Sequence, residues 1–391
     1  MLELEVNREA TRLEVQYQSD GTAVLRATQH VGVVSLPDGP MIEIRPKAPG
    51  TDLLAMLRYA HGVEATTIDE ATSLTAGQTF IEALASIYKA ELNTVLRQGL
   101  QTDYQRVDRT VSYLRGRVNV QRQLQRHGPM PTTFDCTYDE RTADTIVNRA
   151  VLYATTLLMR FVRDRSLSQA LERHQHRLRR QVTLESVRPV DLEGIELTRL
   201  SAYYTDLLRL TKLVLRSVYV DELRSGRRAS FALLVDMNRI FESVVERAMR
   251  TFVAERPGWT SHSQASSQKL VAGGKRSITI RPDVLIRDGE GRPVLVGDAK
   301  WKVDAGWSQV PSNEDIYQLV AYQVAHDAPG VLLYPEQEGR VGSQYSVRGL
   351  RSLTLVEVPT SYDRRRSESF EQVVVEAITS QLAVSEADNE K

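Results

Sequence analysis

The order of secondary-structure patterns after residue 230 constrains the fold more than any other feature of the sequence. An amphipathic helix pattern is followed by two strands, a helix, two strands and a last helix. These patterns lie at about 235–252, 277–286, 294–303, 314–325, 331–333, 353–357 and 370–382. Helices alternating with paired strands in this way predict an α/β sandwich.

The segment before residue 230 predicts two further parts. Strand patterns, with alternating apolar residues, lie at 2–6, 13–17, 23–27, 31–36 and 41–44. Helix patterns lie at 53–60, 80–96, 144–162, 167–180 and 199–223, whereas 97–126 is expected to be irregular and basic. The predicted fold class is therefore a multidomain α+β and α/β chain. Its predicted parts are a β-rich N-terminal domain (1–100), a basic helical region (101–229), an α/β domain (230–383) and a polar, frayed tail (384–391).

The composition excludes several classes of protein. Hydrophobic residues make up 41% of the 391 residues, which is enough to bury cores and excludes a disordered chain. The single cysteine, Cys136, excludes a disulfide framework and a cysteine-based zinc site. Charges begin at the third residue, and no apolar run reaches the length of about 18 residues that a membrane span needs. We therefore expect no signal peptide and no membrane span, and a cytoplasmic protein.

Charge is balanced over the whole chain but uneven locally. The 50 basic residues equal the 50 acidic ones, which excludes a globally basic nucleic-acid binder but not a locally basic one. Of the basic residues 8 are lysine and 42 are arginine; codon bias would produce this, and so would a need for bidentate phosphate contacts. Residues 97–126 and 160–180 each hold seven arginines and two acidic residues. Either stretch could contact DNA phosphates or an acidic partner, and the sequence leaves both readings open.

Two aspartates and a lysine are predicted to meet across a β-hairpin. The string RPD ends at Asp283, the string DAK runs from Asp298 to Lys300, and DGEG at 288–291 has the composition of a hairpin turn. Asp283 then lies on one strand, while Asp298 and Lys300, two residues apart, share a face of the other. Carboxylates hold Mg²⁺, which stabilises charge on a phosphate and lowers the pKa of a water. The pattern therefore predicts phosphodiester hydrolysis, with the lysine positioning that water or helping to deprotonate it.

This spacing alone is weak, since ordinary charges on a solvated strand edge would also produce it. Two neighbouring patterns strengthen it. Glu242 lies near the border of the apolar stripe of the preceding helix, and Gln318 and Tyr322 share a face of the following helix. The alternatives are an interfacial Glu242 paired with Arg239, and ordinary helix packing for the other two.

Four strings in this segment resemble McrC, the nuclease subunit of the McrBC modification-dependent restriction systems, and through it the PD-(D/E)xK nuclease fold. They are DMNRIFESVVERAM, RPDVLI, VGDAKWK and DIYQLVAYQVA. Upstream, YLRGRVNVQRQLQR and DERTADTIVNRAVLYA resemble the same family, so the resemblance covers about 104–335. It implies that Asp283, Asp298 and Glu242 hold Mg²⁺ or Mn²⁺, that Lys300 is the catalytic lysine and that Gln318 supports them. Tyr322 is a weaker candidate.

The resemblance also implies partners. In this family the N-terminal half binds the central opening of a hexameric AAA+ GTPase, McrB, and stimulates its GTP hydrolysis. The expected partners are therefore a McrB-like hexamer and double-stranded DNA, with GTP used by the partner. The chain carries no Walker A motif; the nearest string, GGKRS at 273–277, lacks the first glycine and has arginine where serine or threonine is required. Self-association through the nuclease domain stays open.

Two other functions remain as alternatives. The chain could act chiefly as a regulatory activator of an AAA+ NTPase, with the nuclease site secondary. It could also be a stand-alone PD-(D/E)xK nuclease. The intact set of Asp283, Asp298 and Lys300 favours a nuclease over the first alternative, and the long segment before residue 230 favours a partner-dependent subunit over the second.

Overall fold

A computed structural model gives the fold as two compact units, residues 1–73 with 219–391 and residues 74–218. Within them the structure describes residues 13–20, 22–35, 41–46, 51–62, 80–127, 132–221, 230–263, 268–271, 278–302, 311–337, 344–349, 351–362 and 368–389. The first unit joins segments that the predicted boundaries near 100 and 229 separate, and those domain ranges stay a prediction. The predicted mixed α/β class is confirmed. None of the described helices is long and apolar enough to cross a membrane.

A six-stranded mixed sheet dominates the first unit. Its strand order is β10-β13-β14-β15-β17-β16. The strands are β10 (Thr260–His262), β13 (Val284–Arg287), β14 (Pro293–Ala299), β15 (Gly330–Pro335), β16 (Gln344–Tyr345) and β17 (Leu353–Val358). β13 and β14 form an antiparallel hairpin, whereas β14, β15 and β17 run parallel. Parallel strands need crossover connections: the helix Asn313–His326 lies in the one from β14 to β15, whereas the one from β15 to β17 contains β16.

Three helices cover this sheet: α7 (Met237–Ala254), α8 (Asn313–His326) and α9 (Phe370–Asn389). Helix α8 packs against β14 and β15, where Val296 and Leu332 join Leu319 and Tyr322 in one apolar cluster. Side chains on the opposite face of the strands, such as Leu333, are fully buried as well. A strand buried on both faces belongs to a sheet enclosed between helix layers, as the alternation of elements predicted.

Smaller elements complete the first unit. A four-stranded sheet has the order β4-β3-β9-β8, and hairpins are formed by β1 with β2 and by β11 with β12. Helix α1 packs against α7. The bounds are β1 (Leu13–Tyr17), β2 (Ala23–Ala27), β3 (His30–Ser35), β4 (Met41–Ile44), α1 (Leu53–His61), β8 (Val218–Asp221), β9 (Ser230–Asp236), β11 (Gln268–Val271) and β12 (Ile278–Ile280).

The second unit is a helical bundle that carries a small sheet. Its helices are α2 (Phe80–Gln98), α3 (Val120–His127), α4 (Ile146–Leu158), α5 (Arg165–Arg179) and α6 (Thr205–Ser217), and 3-10 turns lie at Pro189–Leu192 and Arg199–Tyr204. The sheet has the order β5-β7-β6, with β5 (Asp103–Val111), β6 (Arg117–Val118) and β7 (Phe134–Thr142). The buried Tyr88 hydroxyl donates to the Val151 carbonyl, which links α2 to α4.

Several predicted elements differ from the structure. The stretch 97–126 is not irregular, because it contains β5, β6 and most of α3. The single helix predicted over 199–223 is a 3-10 turn, helix α6 and strand β8. The last helix continues to Asn389, so the predicted frayed tail is largely helical. The predicted strand at 2–6 lies outside the described residues.

Candidate active site

The hairpin that carries the predicted site has the expected turn. The Asp288 amide donates to the Arg292 carbonyl, and the Gly291 amide donates to the Asp288 carbonyl. Beyond this turn β13 pairs with β14, with Val284 opposite Gly297. The prediction that Asp283 lies on a strand is wrong by one residue, since β13 begins at Val284. The antiparallel register nevertheless brings the position of Asp283 opposite that of Asp298.

Asp283 and Asp298 meet at this end of the hairpin. The Ala299 amide donates to Asp283 Oδ2 at 3.0 Å, which fixes this carboxylate against the end of β14. Asp298, in β14, is 2% exposed. Main-chain pairing with β15 holds the end of the strand in place, because the Lys300 amide donates to the Leu333 carbonyl. Two carboxylates therefore share a buried corner of the sheet.

Lys300 joins this pair from the residue after β14. Its Nζ lies 2.5 Å from Asp298 Oδ2, and its side chain is 25% exposed while that of Asp298 is 3% exposed. Asp298 Oδ2 has no other partner of regular hydrogen-bond geometry among the described residues. The lysine therefore has its charged end at the buried carboxylates and part of its surface in solvent.

The two carboxylates at this corner destabilise each other's charged form. Burial and then the charge of Asp283 raise the pKa of Asp298 to about 7. Burial also raises the pKa of Asp283, although the hydrogen bond from the Ala299 amide opposes the shift. Burial lowers the pKa of Lys300, but the charges of Asp298 and Asp283 offset this and the net direction is upward. Lys300 thus stays protonated while the two aspartates compete for one proton.

Glu242 approaches the corner from helix α7. Phe241, its neighbour, is fully buried and packs edge to face on Trp301, just after Lys300, with ring centroids 5.6 Å apart. Burial, followed by the charges of Asp236 and Asp298, raises the pKa of Glu242. The alternative partner, Arg239, has an exposed side chain and lies 3.9 Å from Asp236 in an ion pair.

Gln318 and Tyr322 reach the corner from helix α8. Gln318 Nε2 donates to the Tyr322 hydroxyl at 2.7 Å and makes a long contact of 3.5 Å with Asp298 Oδ1. The Tyr322 hydroxyl in turn donates to the Arg281 carbonyl at 3.2 Å. This relay connects α8 both to β14 and to the segment that leads into Asp283. Ordinary helix packing alone would not require it.

Residues 25–335 match the family model described as the McrBC 5-methylcytosine restriction system component. The chain belongs to this family. The match includes every residue of the candidate site, and it confirms the family resemblance seen in the sequence. No curated protein matches the chain.

Solved structures of complexes from Thermococcus gammatolerans are similar to this McrBC-family chain. One is a refined half-complex from a tetradecameric assembly of McrB AAA+ hexamers with bound McrC; the identity is 18%, the coverage is 94% of this chain and 85% of that chain, and the TM-score is 0.62. A cryo-EM structure of the McrBC complex matches at 22% identity over 58% of this chain and 67% of that chain, with a TM-score of 0.44. The first likeness shows that the two chains share a fold.

A second carboxylate–lysine pair in this McrBC-family chain was missed in the sequence. Lys302 Nζ donates to both oxygens of Asp315 at 2.8 Å, and Ser312 Oγ and the Tyr334 hydroxyl donate to the same carboxylate. Asp315 is 3% exposed. The pair ties the segment after Lys300 to the start of α8. A signal existed, because serine at 312 and an acid three residues later form a helix-capping pattern.

The aspartate pair of this family member fits a divalent cation. The three carboxylates predicted as its ligands, however, are not grouped as one metal site in the described residues. Burial and the neighbouring charge of Asp283 raise the pKa of Asp298 to about 7. A bound divalent cation would offset the negative charge of this pair. In the part of the chain that the structure describes, however, no three His, Cys, Asp or Glu side chains are grouped closely enough to hold a metal ion. The structure therefore brings Asp283 and Asp298 together, with Glu242 outside that group. Its predicted role as a ligand stays a prediction.

Proposed function

We propose that this chain is the DNA endonuclease subunit of a McrBC-like restriction system that acts in antiviral defence. In this proposal its first unit contains a PD-(D/E)xK nuclease core that hydrolyses phosphodiester bonds with Mg²⁺, and the site residues are Asp283, Asp298, Lys300, Glu242 and Gln318. The observation that carries the proposal is the buried meeting of Asp283 and Asp298 with the Lys300 ammonium 2.5 Å from Asp298. Membership of the McrBC family supports the same reading.

The chemistry follows from the charges that this corner holds. Asp283 and Asp298 would hold the cation, which when bound supplies positive charge to the phosphate and lowers the pKa of a nearby water. Lys300 Nζ orients the attacking water and donates a hydrogen bond to the phosphate as negative charge develops. The water oxygen forms a bond to phosphorus while the bond from phosphorus to the leaving oxygen breaks; the water gives up a proton to solvent, and the leaving oxygen takes one from solvent. Gln318, anchored by Tyr322, keeps Asp298 in place.

A ring-shaped GTPase is the proposed partner. The similar solved structure has McrB AAA+ hexamers with bound McrC. By likeness we assign this chain a McrB-like hexamer, which uses GTP, translocates DNA and presents it for cleavage. The chain would stimulate GTP hydrolysis by that ring. The absent Walker A motif agrees with a division of labour between two proteins.

The aspartate pair is tested by a substitution that removes charge without changing shape. Asp298→Asn should abolish DNA cleavage by the complex with partner, GTP and Mg²⁺, and EDTA should do the same to the unsubstituted complex, because both remove the cation. Asp327→Asn is the matched control. Asp327 is exposed at the end of α8 with a φ of 47°, which asparagine tolerates, so its cleavage rate should not change. Cleavage by Asp298→Asn at the unsubstituted rate would disprove the assignment.

A further inference from the structure

Helix α5 of the second unit, together with its C-cap residue Arg180, presents a row of basic side chains. Arg165, Arg173, His176 and Arg180 are exposed, and at 100° per residue they fall within about 80° of one another around the helix axis. Opposite this row the helix buries Leu167, Leu171 and Leu178. The row therefore faces solvent over its whole length of about 22 Å, at a rise of about 1.5 Å per residue.

The arginines around this row lack carboxylate partners. Residues 160–180 contain seven arginines, and none forms an ion pair within the described residues, where other exposed arginines such as Arg188, Arg250 and Arg292 do. One of the two acids in the stretch, Asp164, caps the helix by accepting from the Leu167 amide. The other acid, Glu172, is exposed beside Arg173 and forms no ion pair within the described residues. Seven arginines against two acids leave an excess of like charges that repel one another, and a polyanion would relieve that repulsion.

Positive charges of this stretch also act on His174, which lies on the same helix but about 100° or more around its axis from the row. Burial, and then the positive charges of Arg173, Lys89 and Arg177, lower the pKa of this half-buried histidine. Lys89 belongs to α2, so positive charges from two helices of the second unit act on this histidine.

The other basic stretch has a different chemistry. Between 103 and 127 the arginines alternate with exposed apolar side chains, namely Tyr104, Tyr113, Leu114, Val120 and Leu124, each at least 62% exposed. Two arginines there already have partners within the chain: Arg109 forms an ion pair with Glu140, and Arg115 stacks on Tyr138. Apolar groups at the centre of a charged surface are typical of contacts between proteins.

The row on α5 has no such apolar content. No exposed large hydrophobic side chain lies in 160–180 among the described residues. Arginine with polar neighbours and no apolar centre is the composition of a surface that contacts phosphates. A duplex presents about a dozen phosphate charges over ~22 Å, which is ample for three arginines.

We infer that the row Arg165, Arg173, His176 and Arg180, on helix α5 and its C-cap, binds the sugar-phosphate backbone of duplex DNA without reading its sequence. The inference rests on the proposed function, because that function makes DNA the substrate. It adds a DNA-binding surface in the second unit, outside the nuclease unit. Arginine suits this task because its planar group meets two phosphate oxygens at once.

The test compares two triple variants of the full chain with equal loss of charge. One replaces the row (Arg165→Gln, Arg173→Gln, Arg180→Gln), and the control replaces exposed arginines of the other basic stretch (Arg106→Gln, Arg117→Gln, Arg126→Gln). Fluorescence anisotropy measures binding to a short labelled duplex of unmodified DNA in EDTA, over a KCl series of about 50 to 200 mM. The row variant should weaken binding at least about tenfold and reduce the slope of log K against log salt by about 2 to 3. The control should keep the unsubstituted affinity and slope.

Three outcomes would overturn the inference. In the first, the row variant binds DNA with unchanged affinity and slope. In the second, the unsubstituted chain does not bind DNA at all. In the third, the row variant loses the complex with the GTPase but binds DNA normally, which would assign the row to an acidic protein. The binding assay contains no divalent metal, so its failure is separate from failure of the cleavage assay with Asp298→Asn.

Discussion

Asp298 is the residue at which stability and the proposed function oppose each other. Its carboxylate is almost fully buried beside that of Asp283, and the ammonium of Lys300 compensates only one of the two charges. A folded protein has little reason to keep two such groups together for stability, since an ionised carboxylate in a buried position is costly without full pairing. Their retention is understandable if a cation is held there.

This cost gives a pH-dependent prediction for the protein without metal. The folded pKa of Asp298 is about 7, above its ordinary value of 3.8. The stability linked to its protonated form is complete below about pH 4 and is lost as pH rises through 7. Asparagine mimics the protonated form, so Asp298→Asn in EDTA should be more stable than the unsubstituted chain at pH 8, on the order of 2–4 kcal/mol, and equal to it near pH 4.

Thermal unfolding at several pH values measures this difference directly. The exposed Asp327→Asn variant should follow the unsubstituted chain at every pH. Equal stability of Asp298→Asn and the unsubstituted chain at pH 8 would show that the buried carboxylate carries no such cost.

At the residue scale, the sequence predicted which side chains lie together in one case and did not in another. Asp283 and Asp298 could be brought together because hairpin register depends on a short turn whose composition is visible in the sequence. Lys302 and Asp315 could not, because they lie on separate elements, thirteen residues apart in sequence, and each alone resembles a surface charge. Ser312 and Asp315 form a local helix-capping pattern, but the pairing of Asp315 with Lys302 depends on tertiary packing, which that pattern does not encode.

Among the elements, strand β3 helps to position a helix of the candidate site, which its own sequence does not indicate. It pairs with β9, which runs directly into helix α7, and the Met237 amide at the start of that helix donates to the Gln29 carbonyl. Helix α7 in turn carries Glu242. A strand near the N-terminus thus anchors the helix that approaches the candidate site.

Gly32 is the point in β3 where this pairing is most sensitive. Its φ is 143°, and a Cβ built there would lie 2.0 Å from the Leu233 carbonyl oxygen of β9. Gly32→Ala should therefore lower the free energy of unfolding by about 2–4 kcal/mol, through strain and overpacking of main chain. Gly289→Ala is the control: its Cβ would have 3.8 Å of room, so the change should stay within about 0.5 kcal/mol. Denaturant titration measures both, and a neutral Gly32→Ala would contradict the role of this close contact.

Strand β5 is the element that the sequence patterns predicted least well, because its residues were expected to be irregular. Most of its side chains are exposed on both faces, so it lacks the alternation of apolar and polar residues from which strands are recognised. Nine residue pairs with β7 hold it in place instead. By contrast, helices α2 and α8 were predicted within two residues at each end, because each has a buried face of its own.

At the scale of the whole molecule, the first unit is discontinuous in sequence. Residues 1–73 and 219–391 form one unit, with 74–218 inserted between them as the other. Composition changes along the chain cannot reveal such an arrangement, because the pairing of β3 with β9 joins residues about 200 positions apart. The α/β order after residue 230 was predictable because its strands and crossover helices are neighbours in sequence.

The central claim is that cleavage takes place at the corner formed by Asp283, Asp298 and Lys300, while stimulation of the GTPase depends on other surfaces of the chain. Lys300→Ala tests it most directly, because the lysine is partly exposed and its removal leaves the two aspartates in place. DNA cleavage and GTP turnover are measured side by side on the same complex with a McrB-like GTPase. We expect no cleavage, with GTP turnover stimulated to the level reached with the unsubstituted chain. Cleavage at the unsubstituted rate, or loss of both activities with the fold intact by circular dichroism, would contradict the account.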